Sequence, residues 1–161
     1  MEKVKAGLEK NKLKEMLQNE IKNVTLEELY ELSFQFNEDT RYLPREYKKK
    51  YTESVLNVII SRFAMLKNTK INFEGQITEK EAKEINELLD DNDELVGHIL
   101  NVIVVYTTYL KHRPVHLPGT VFPGMVSIYT DGEKYYCPVK KYNIDNEKAV
   151  CRYCIAVIPD E

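Results

Sequence analysis

The stretch HILNVIVVYTTYL, residues 98–110, decides the fold, because it is the most apolar run of the chain. It is too short to cross a bilayer, which takes about 20 apolar residues, and so it predicts no membrane span. A helix that is apolar nearly all round has no face suited to water. The run therefore predicts a central, buried helix within 94–112, with Asp93 as its N-cap.

Helical patterns continue from this run back to the N-terminus. Apolar residues at helical spacing predict a first helix over 3–22, and the capping boxes TLEE at 25–28 and TEKE at 78–81 each open another helix. Pro44 predicts the first turn of a long helix that ends at about Lys67. Residues 1–112 are thus expected to form about five helices. The residues expected to face the core are Val4, Leu8, Leu13, Met16, Leu17 and Ile21 in the first helix, and Tyr51, Val55, Val58, Ile59, Phe63 and Met65 in the long one.

The composition changes in residues 113–161, which are rich in proline, glycine and tyrosine. HLPGTVFPG, starting at His116, predicts irregular structure, because its prolines and glycines lie close together. TDGE at 130–133 stands between apolar and aromatic runs and predicts a β-hairpin. AVCRYCIAV at 149–157 predicts a third strand or an extended segment. We therefore expect a single α+β domain over 1–161, with a helical bundle (1–112) and a small C-terminal antiparallel β-meander (113–161).

Charge and cysteine content narrow the class of protein. The net charge of −3, from 23 basic and 26 acidic residues, gives no global positive field for nucleic acid. The N-terminal sequence MEKVKAGLEKNKLKEM lacks the apolar stretch of a signal peptide. An odd number of cysteines, three, does not form a closed disulfide framework. These features predict a cytoplasmic protein with no membrane partner. A nucleic-acid module is only the third-ranked interpretation, which the basic run REYKKK at 45–50 and the scattered tyrosines favour.

The three cysteines, Cys137, Cys151 and Cys154, all lie in the C-terminal part, which also contains His116. Cys151 and Cys154 have the C-x₂-C spacing that can aim two sulfurs at one metal ion. Cys137 on the hairpin and His116 would complete a tetrahedral Cys₃His set, with His112 as the alternative fourth ligand. The set predicts a structural metal site, with zinc as the metal. His98, within the central helix, is expected to be a satisfied core histidine.

Three other interpretations of the cysteines stay open. CRYC has no glycine or proline for a tight turn, and residues three apart in a strand face opposite sides, so the thiols could be small core residues. Cys151 and Cys154 could be a redox dithiol, although such pairs normally open a helix. A nucleophilic cysteine with His116 as its base is the third interpretation, for which the sequence offers no obvious orienting Asp or Asn.

The same motifs resemble a known family. PVHLPGTVFPG, YYCPVK and DNEKAVCRYCIA are similar to the C-terminal signature of a domain-of-unknown-function family from methanogenic archaea, and YLPREYKKKY resembles its N-terminal half. The sequence departs from the family pattern at Leu117, where proline is expected, and in its ending VIPDE. The resemblance implies no activity. It does imply an anaerobic archaeal cytoplasm, where an iron–sulfur cluster competes with zinc. The pattern falls on His116, Gly119, Phe122, Pro123, Gly124, Tyr136, Cys137, Pro138, Cys151 and Cys154.

We therefore expect an interaction or assembly protein with a structural Cys/His metal site and a protein partner that the sequence does not identify. The alternative is an enzyme or redox protein that uses the same cluster catalytically. A closed site with four protein ligands favours the first function. An open coordination position, or an exposed thiol of low pKa, favours the second.

Overall fold

The computed structural model of the protein describes residues 1–25, 27–29, 31, 44–90, 95–122, 126–146 and 149–160. Within these ranges the long helices are Lys10–Ile21, Arg45–Asn68, Glu79–Asp90 and Leu95–Val105, and residues 27–29 are also helical. A π-helix, Tyr106–Leu110, continues the last of them. Four short strands follow: β1 (Val121–Phe122), β2 (Val126–Ser127), β3 (Tyr129–Thr130) and β4 (Tyr135–Tyr136), and then a 3₁₀ turn at Lys140–Tyr142. The predicted α+β class, mainly helical with a small antiparallel C-terminal β part, is confirmed.

The central helix lies where its apolar sequence places it. Ile99 and every residue from Val102 to Leu110 are buried, and the segment contacts the helices 10–21, 45–68 and 79–90. Its last turn widens, because the N–H of Lys111 donates to the carbonyl oxygen of Tyr106, five residues back, at 3.0 Å. None of the described helices is both long and apolar enough to cross a membrane.

The first helix is shorter than its apolar stripe predicts. It begins at Lys10, and the preceding residues instead run beside 75–77. The N–H of Gly7 donates to the carbonyl of Ile77 at 2.8 Å, and the N–H of Ile77 donates to the carbonyl of Leu8 at 2.8 Å. Gly7 has φ +89, which breaks a helix and suits glycine. The prediction of a helix over 3–22 is therefore wrong for residues 3–9.

The helix starts follow the capping signals where the structure describes them. Thr25 and Glu28 form the predicted reciprocal box, with bonds of 2.8 and 3.2 Å. Thr78 Oγ1 accepts the N–H of Glu81 at 3.1 Å. Pro44 occupies the N-cap rather than the first turn, since the helix begins at Arg45. The predicted Asp93 cap lies outside the described residues.

The long helix buries part of its predicted face, of which the side chain of Val55 lies outside what the structure describes. Val58, Ile59 and Phe63 are buried, but Met65 is 44% exposed, and Leu66 is buried in its place. Residues 63 and 66 are three apart and share one helix face, whereas 65 lies on another. The prediction for Met65 is therefore wrong.

The C-terminal part is built from two hairpins. β3 and β4 pair antiparallel, with Tyr129 opposite Tyr136, around the predicted TDGE turn. β1 and β2 also pair antiparallel, so Val121–Phe122 is a strand within a segment that the prolines and glycines predict to be irregular. The two parts of the chain meet where the ring of Phe122 packs on that of Tyr51, with centroids 5.9 Å apart. A small second core contains Phe122, Ile128, Cys137 and Ala156.

Candidate functional site

The structure brings all four predicted site residues to one small cavity. Cys137, Cys151, Cys154 and His116 line it, with its remaining wall formed by Val115, Ile128, Lys140 and Val150. The cavity measures about 20 Å³, which is room for one water molecule or one ion. The three cysteines are free thiols. Residues that are 38 positions apart in sequence, His116 and Cys154, thus line one small cavity.

A turn, not a strand, places Cys151 and Cys154 together. The N–H groups of Tyr153 and Cys154 both donate to the carbonyl oxygen of Val150, at 3.0 and 3.3 Å. The predicted third strand over 149–157 is therefore wrong at the cysteines. Because the chain turns, side chains three apart can face the same side, which the alternation of a strand would prevent. CRYC thus forms a turn although it contains neither glycine nor proline.

Cys137 reaches the same cavity from the end of β4. Its N–H donates to the carbonyl oxygen of Val157 at 2.9 Å, and the N–H of Val157 donates to Tyr135 at 2.8 Å. These bonds pair the end of the chain with the hairpin. The carbonyl of Cys137 then accepts the N–H of Lys140 at 3.2 Å, so the chain also turns after Cys137.

Backbone N–H groups point at two of the sulfurs. Cys154 Sγ accepts the N–H of Val115 at 3.3 Å. The backbone N–H groups of Val139 and Lys140 bond to the thiol of Cys137 and act to lower its pKa. Donors of this kind stabilise a thiolate, and they recur around metal-bound sulfur.

Burial nevertheless favours the protonated form of two of the thiols, Cys137 and Cys151. The pKa of Cys137 is raised, mainly by burial and also by Cys154. The pKa of Cys151 is raised by burial first, and then by the nearness of Cys137 and Cys154. A nucleophilic or redox thiol needs the opposite shift. The arrangement therefore disfavours a reactive cysteine and suits thiols that ionise when a cation arrives.

His116 is neutral at physiological pH. Its pKa is lowered from 6.5 to about 4, by burial and by the positive charge of Arg62. The ring packs edge-on against Phe122, with centroids 5.3 Å apart. A metal ligand histidine must be neutral, so the site holds the imidazole in the form that binding requires.

Arg62 is a site residue that the sequence analysis missed. It is 7% exposed, and its guanidinium donates to the carbonyl oxygens of Pro114, at 2.7 Å, and Val115, at 2.5 Å. Burial lowers its pKa to about 10, so it stays charged at neutral pH. The signal was an arginine on the buried face of the long helix, between Ile59 and Phe63, where a charge needs a partner.

The other two histidines lie apart from the cavity. His98 Nε2 lies 2.9 Å from Glu20 Oε2, as expected for a satisfied histidine. His112 is exposed, with φ 51, and its Nε2 lies 3.4 Å from Nζ of Lys10. Neither lines the cavity, so the structure gives His116 the position closest to the cysteines.

The four side chains line a cavity without converging as ligands. Across the described ranges, no group of three or more His, Cys, Asp or Glu side chains is arranged to hold a metal ion. The donor types fit zinc, since Cys₃His is one of its structural ligand sets. Metal binding would therefore require the side chains to turn inward from the walls.

Known proteins similar to this chain are archaeal. A sequence model of the family described as "Uncharacterized protein conserved in archaea (DUF2115)" matches residues 9–158. A UPF0305 protein of Methanothermobacter thermautotrophicus is 31% identical over 153 residues, which cover 90% of this chain and 93% of that protein. A UPF0305 protein of Methanocaldococcus jannaschii is 27% identical over 157 residues, covering 91% of this chain and 94% of that protein. No solved structure matches.

Proposed function

The chain belongs to the archaeal family DUF2115, and we propose that its Cys137, Cys151, Cys154 and His116 bind one structural zinc ion. The ion cross-links the C-terminal part, and the protein serves interaction or assembly rather than catalysis. The observation that carries the proposal is the single cavity that all four side chains line.

The ligand chemistry supports zinc over an iron–sulfur cluster. A space of about 20 Å³ takes one ion, whereas a cluster also brings several sulfides. Zinc binds sulfur at roughly 2.3 Å and imidazole nitrogen at roughly 2.0 Å, so the four side chains must turn inward to bind it. The N–H groups that face the sulfurs of Cys137 and Cys154 then stabilise the thiolates.

A structural role follows from the weak local core. The C-terminal hairpins have only two residues in each strand, and their own core is four buried side chains. A metal site that joins segments 116, 137 and 151–154 supplies the cross-link that this part lacks. With four protein ligands there is no open position for a substrate, which separates this role from catalysis. Free thiols also agree with a reducing cytoplasm.

Exposed apolar side chains support a protein partner. Large side chains are exposed at intervals over the C-terminal part, and Tyr142 is 75% exposed. A partner that covers them would gain hydrophobic stabilisation. The exposed positions of this part are Leu117, Val126, Tyr129, Tyr142, Ile144, Val157 and Ile158.

The test is the metal content of protein purified without oxygen or chelators. We expect about one zinc per chain in the wild type, and its loss in Cys151→Ser and Cys154→Ser. The matched control is His112→Ala, which removes an exposed imidazole outside the cavity and should keep the metal. His116→Ala should lose it. A wild type without zinc, or cysteine variants that retain it, would overturn the site.

The partner is tested separately, on zinc-loaded protein. We compare the proteins that copurify from an archaeal lysate with the wild type and with the variant Tyr142→Asp, which keeps all three cysteines. Because Tyr142 lies outside the cavity, the variant should keep its zinc and its melting temperature. A specific partner should be lost from Tyr142→Asp and Ile158→Asp. An unchanged set of copurifying proteins in both variants would contradict the interaction role while leaving the metal site standing.

A further inference from the structure

A second, larger cavity lies on the other side of the loop 113–117. Its volume is about 220 Å³, and it is open to solvent between the helix 45–68 and the π-helix 106–110. The cavity is below the roughly 300–1,000 Å³ of sites for drug-sized ligands, so it suits a small molecule. Arg62 forms part of its wall and also donates hydrogen bonds to the loop 113–117, which contains His116.

The polar lining of this cavity is cationic. Arg62, Lys111 and Arg113 line it, and no acidic side chain is among its lining residues in the described part of the chain. Arg62 is buried and charged, with its Nη atoms directed at Pro114 and Val115. Lys111 and Arg113 reach the cavity from the end of the π-helix. Three positive charges around one concave space attract an anion.

The π-helix forms one wall of this cavity. Thr107 lines the cavity but is only 1% exposed, and its Oγ1, which has no hydrogen-bond partner among the described residues, is buried behind that wall. A π turn, which joins residues five apart, is a frequent mark of functional sites. Here it joins Tyr106 to Lys111, and both line the cavity.

The remaining wall is apolar. Val58, Met65 and Leu117 line it, and Met65 and Leu117 are 44% exposed each. The exposure of Met65, which the helix pattern predicts to be buried, is explained by its place at this cavity. A ligand with a charged end and a short apolar end would match both walls.

We propose that this cavity binds a small organic anion whose oxygens face Lys111 and Arg113, and whose carbon chain lies against Met65 and Leu117. The shared chemistry is an oxyanion, a phosphate monoester or a carboxylate. Lysine and arginine form strong charge-assisted bonds with both groups. The site is independent of the metal.

Isothermal titration of the protein as purified tests the site. The probes are inorganic phosphate, butyl phosphate and butyrate. Comparing butyl phosphate with butyrate distinguishes phosphate from carboxylate, and comparing butyl phosphate with inorganic phosphate measures the contribution of the alkyl chain. One phosphate or carboxylate probe with an alkyl chain should bind saturably, more tightly than inorganic phosphate, and more weakly at high salt. No saturable binding by either alkyl probe would overturn the proposal.

Variants separate recognition from folding. The double variant Lys111→Gln and Arg113→Gln should weaken binding by at least tenfold. The control double variant, Lys70→Gln and Lys134→Gln, makes the same charge change at exposed positions outside the cavity. Equal affinities in all variants would refute the assignment.

Discussion

The N–H of Val115 donates to Sγ of Cys154 at 3.3 Å. The carbonyl of the same residue accepts a bond from Arg62 at 2.5 Å. One residue of the loop 113–117 is therefore held on one side by the cysteine cavity and on the other by the long helix. The loop positions His116 for the proposed metal, and Arg62 lies within the wall of the proposed anion cavity. The two cavities therefore lie on either side of the loop 113–117.

The first prediction concerns Arg62. Arg62→Met removes the donor from two carbonyl oxygens, Pro114 and Val115, and leaves them unpaired beside the core. We expect the free energy of unfolding to fall by about 2 kcal/mol or more, measured by urea denaturation at neutral pH. Arg113→Met is the control, because Arg113 is exposed and should change stability by less than about 0.5 kcal/mol. Equal stabilities of the two variants would contradict the assigned role of Arg62.

The second prediction concerns the N-terminal segment that replaces the expected helix. Gly7 has φ +89, and a Cβ built there meets nothing within 4 Å, so the cost of substitution is backbone strain alone. Gly7→Ala should lower stability by roughly 1 kcal/mol. Gly7→Asn should lower it less, because asparagine tolerates positive φ better than alanine. Thermal melts of the two variants provide the comparison. If alanine were tolerated as well as asparagine, the segment would not adopt this turn in solution.

Local sequence patterns predicted those elements whose own residues determine their structure. The stretch 98–110 is apolar on every side, and no arrangement other than a central helix satisfies it. The Thr25–Glu28 box needs only neighbouring residues, so it could be predicted from four letters. Residues 3–9 carry the same apolar stripe as the helix that follows them, but Gly7 and the bonds to residues 75–77 decide their structure. That pairing joins segments about 70 residues apart, which periodicity does not detect.

The candidate site was predictable in its members but not in its geometry. Cysteine spacing selected Cys137, Cys151 and Cys154, and the cavity contains all three with His116. The turn at Val150 was not predictable, because CRYC has none of the residues that normally mark turns. Arg62 was missed because its partners are the backbone carbonyls of Pro114 and Val115. Every residue has such a carbonyl, so residue types do not indicate which ones pair with a buried arginine.

The third prediction concerns Glu20, which joins the first helix to the central one through His98, at 2.9 Å. Burial raises the pKa of Glu20, but the interactions with His98 and with the N-terminal ammonium together lower it by more. The net shift of the pKa is therefore downward. A carboxyl with a lowered pKa contributes stability above its unfolded value of 4.5 and loses it as pH falls through the folded value. Glu20→Gln should therefore lower stability by about 1 kcal/mol at pH 7.

The control for that variant is Glu15→Gln. Glu15 pairs with Lys12 at 3.6 Å on an exposed face, so the change should be less than about 0.5 kcal/mol. Denaturation of both variants and the wild type is measured at pH 7 and again below pH 4. The difference between wild type and Glu20→Gln should shrink at acid pH. A difference that stays the same at both pH values would show that the carboxylate charge of Glu20 contributes nothing.

The last prediction concerns Asp131 in the β3–β4 turn. Its Oδ1 accepts the N–H groups of Glu133 and Lys134, at 2.9 and 2.8 Å, and its Oδ2 accepts the hydroxyl of Tyr136 at 2.7 Å. The N–H of Lys134 and the Tyr136 hydroxyl lower the pKa of Asp131 to about 2, because each donor favours the ionised carboxylate. Titration by NMR should therefore show a midpoint well below 3.8, the ordinary value. Tyr136→Phe removes one donor and should move the midpoint upward, whereas Tyr142→Phe, which changes an exposed tyrosine outside the hairpin, should leave it in place.

The ionised form of Asp131 stabilises the hairpin at pH above 3.8, and this stabilisation is lost as pH falls through about 2. Asp131→Asn should accordingly melt below the wild type at pH 7 and close to it near pH 2. A midpoint near 3.8 in the wild type would mean that the turn does not hold the carboxylate in this geometry.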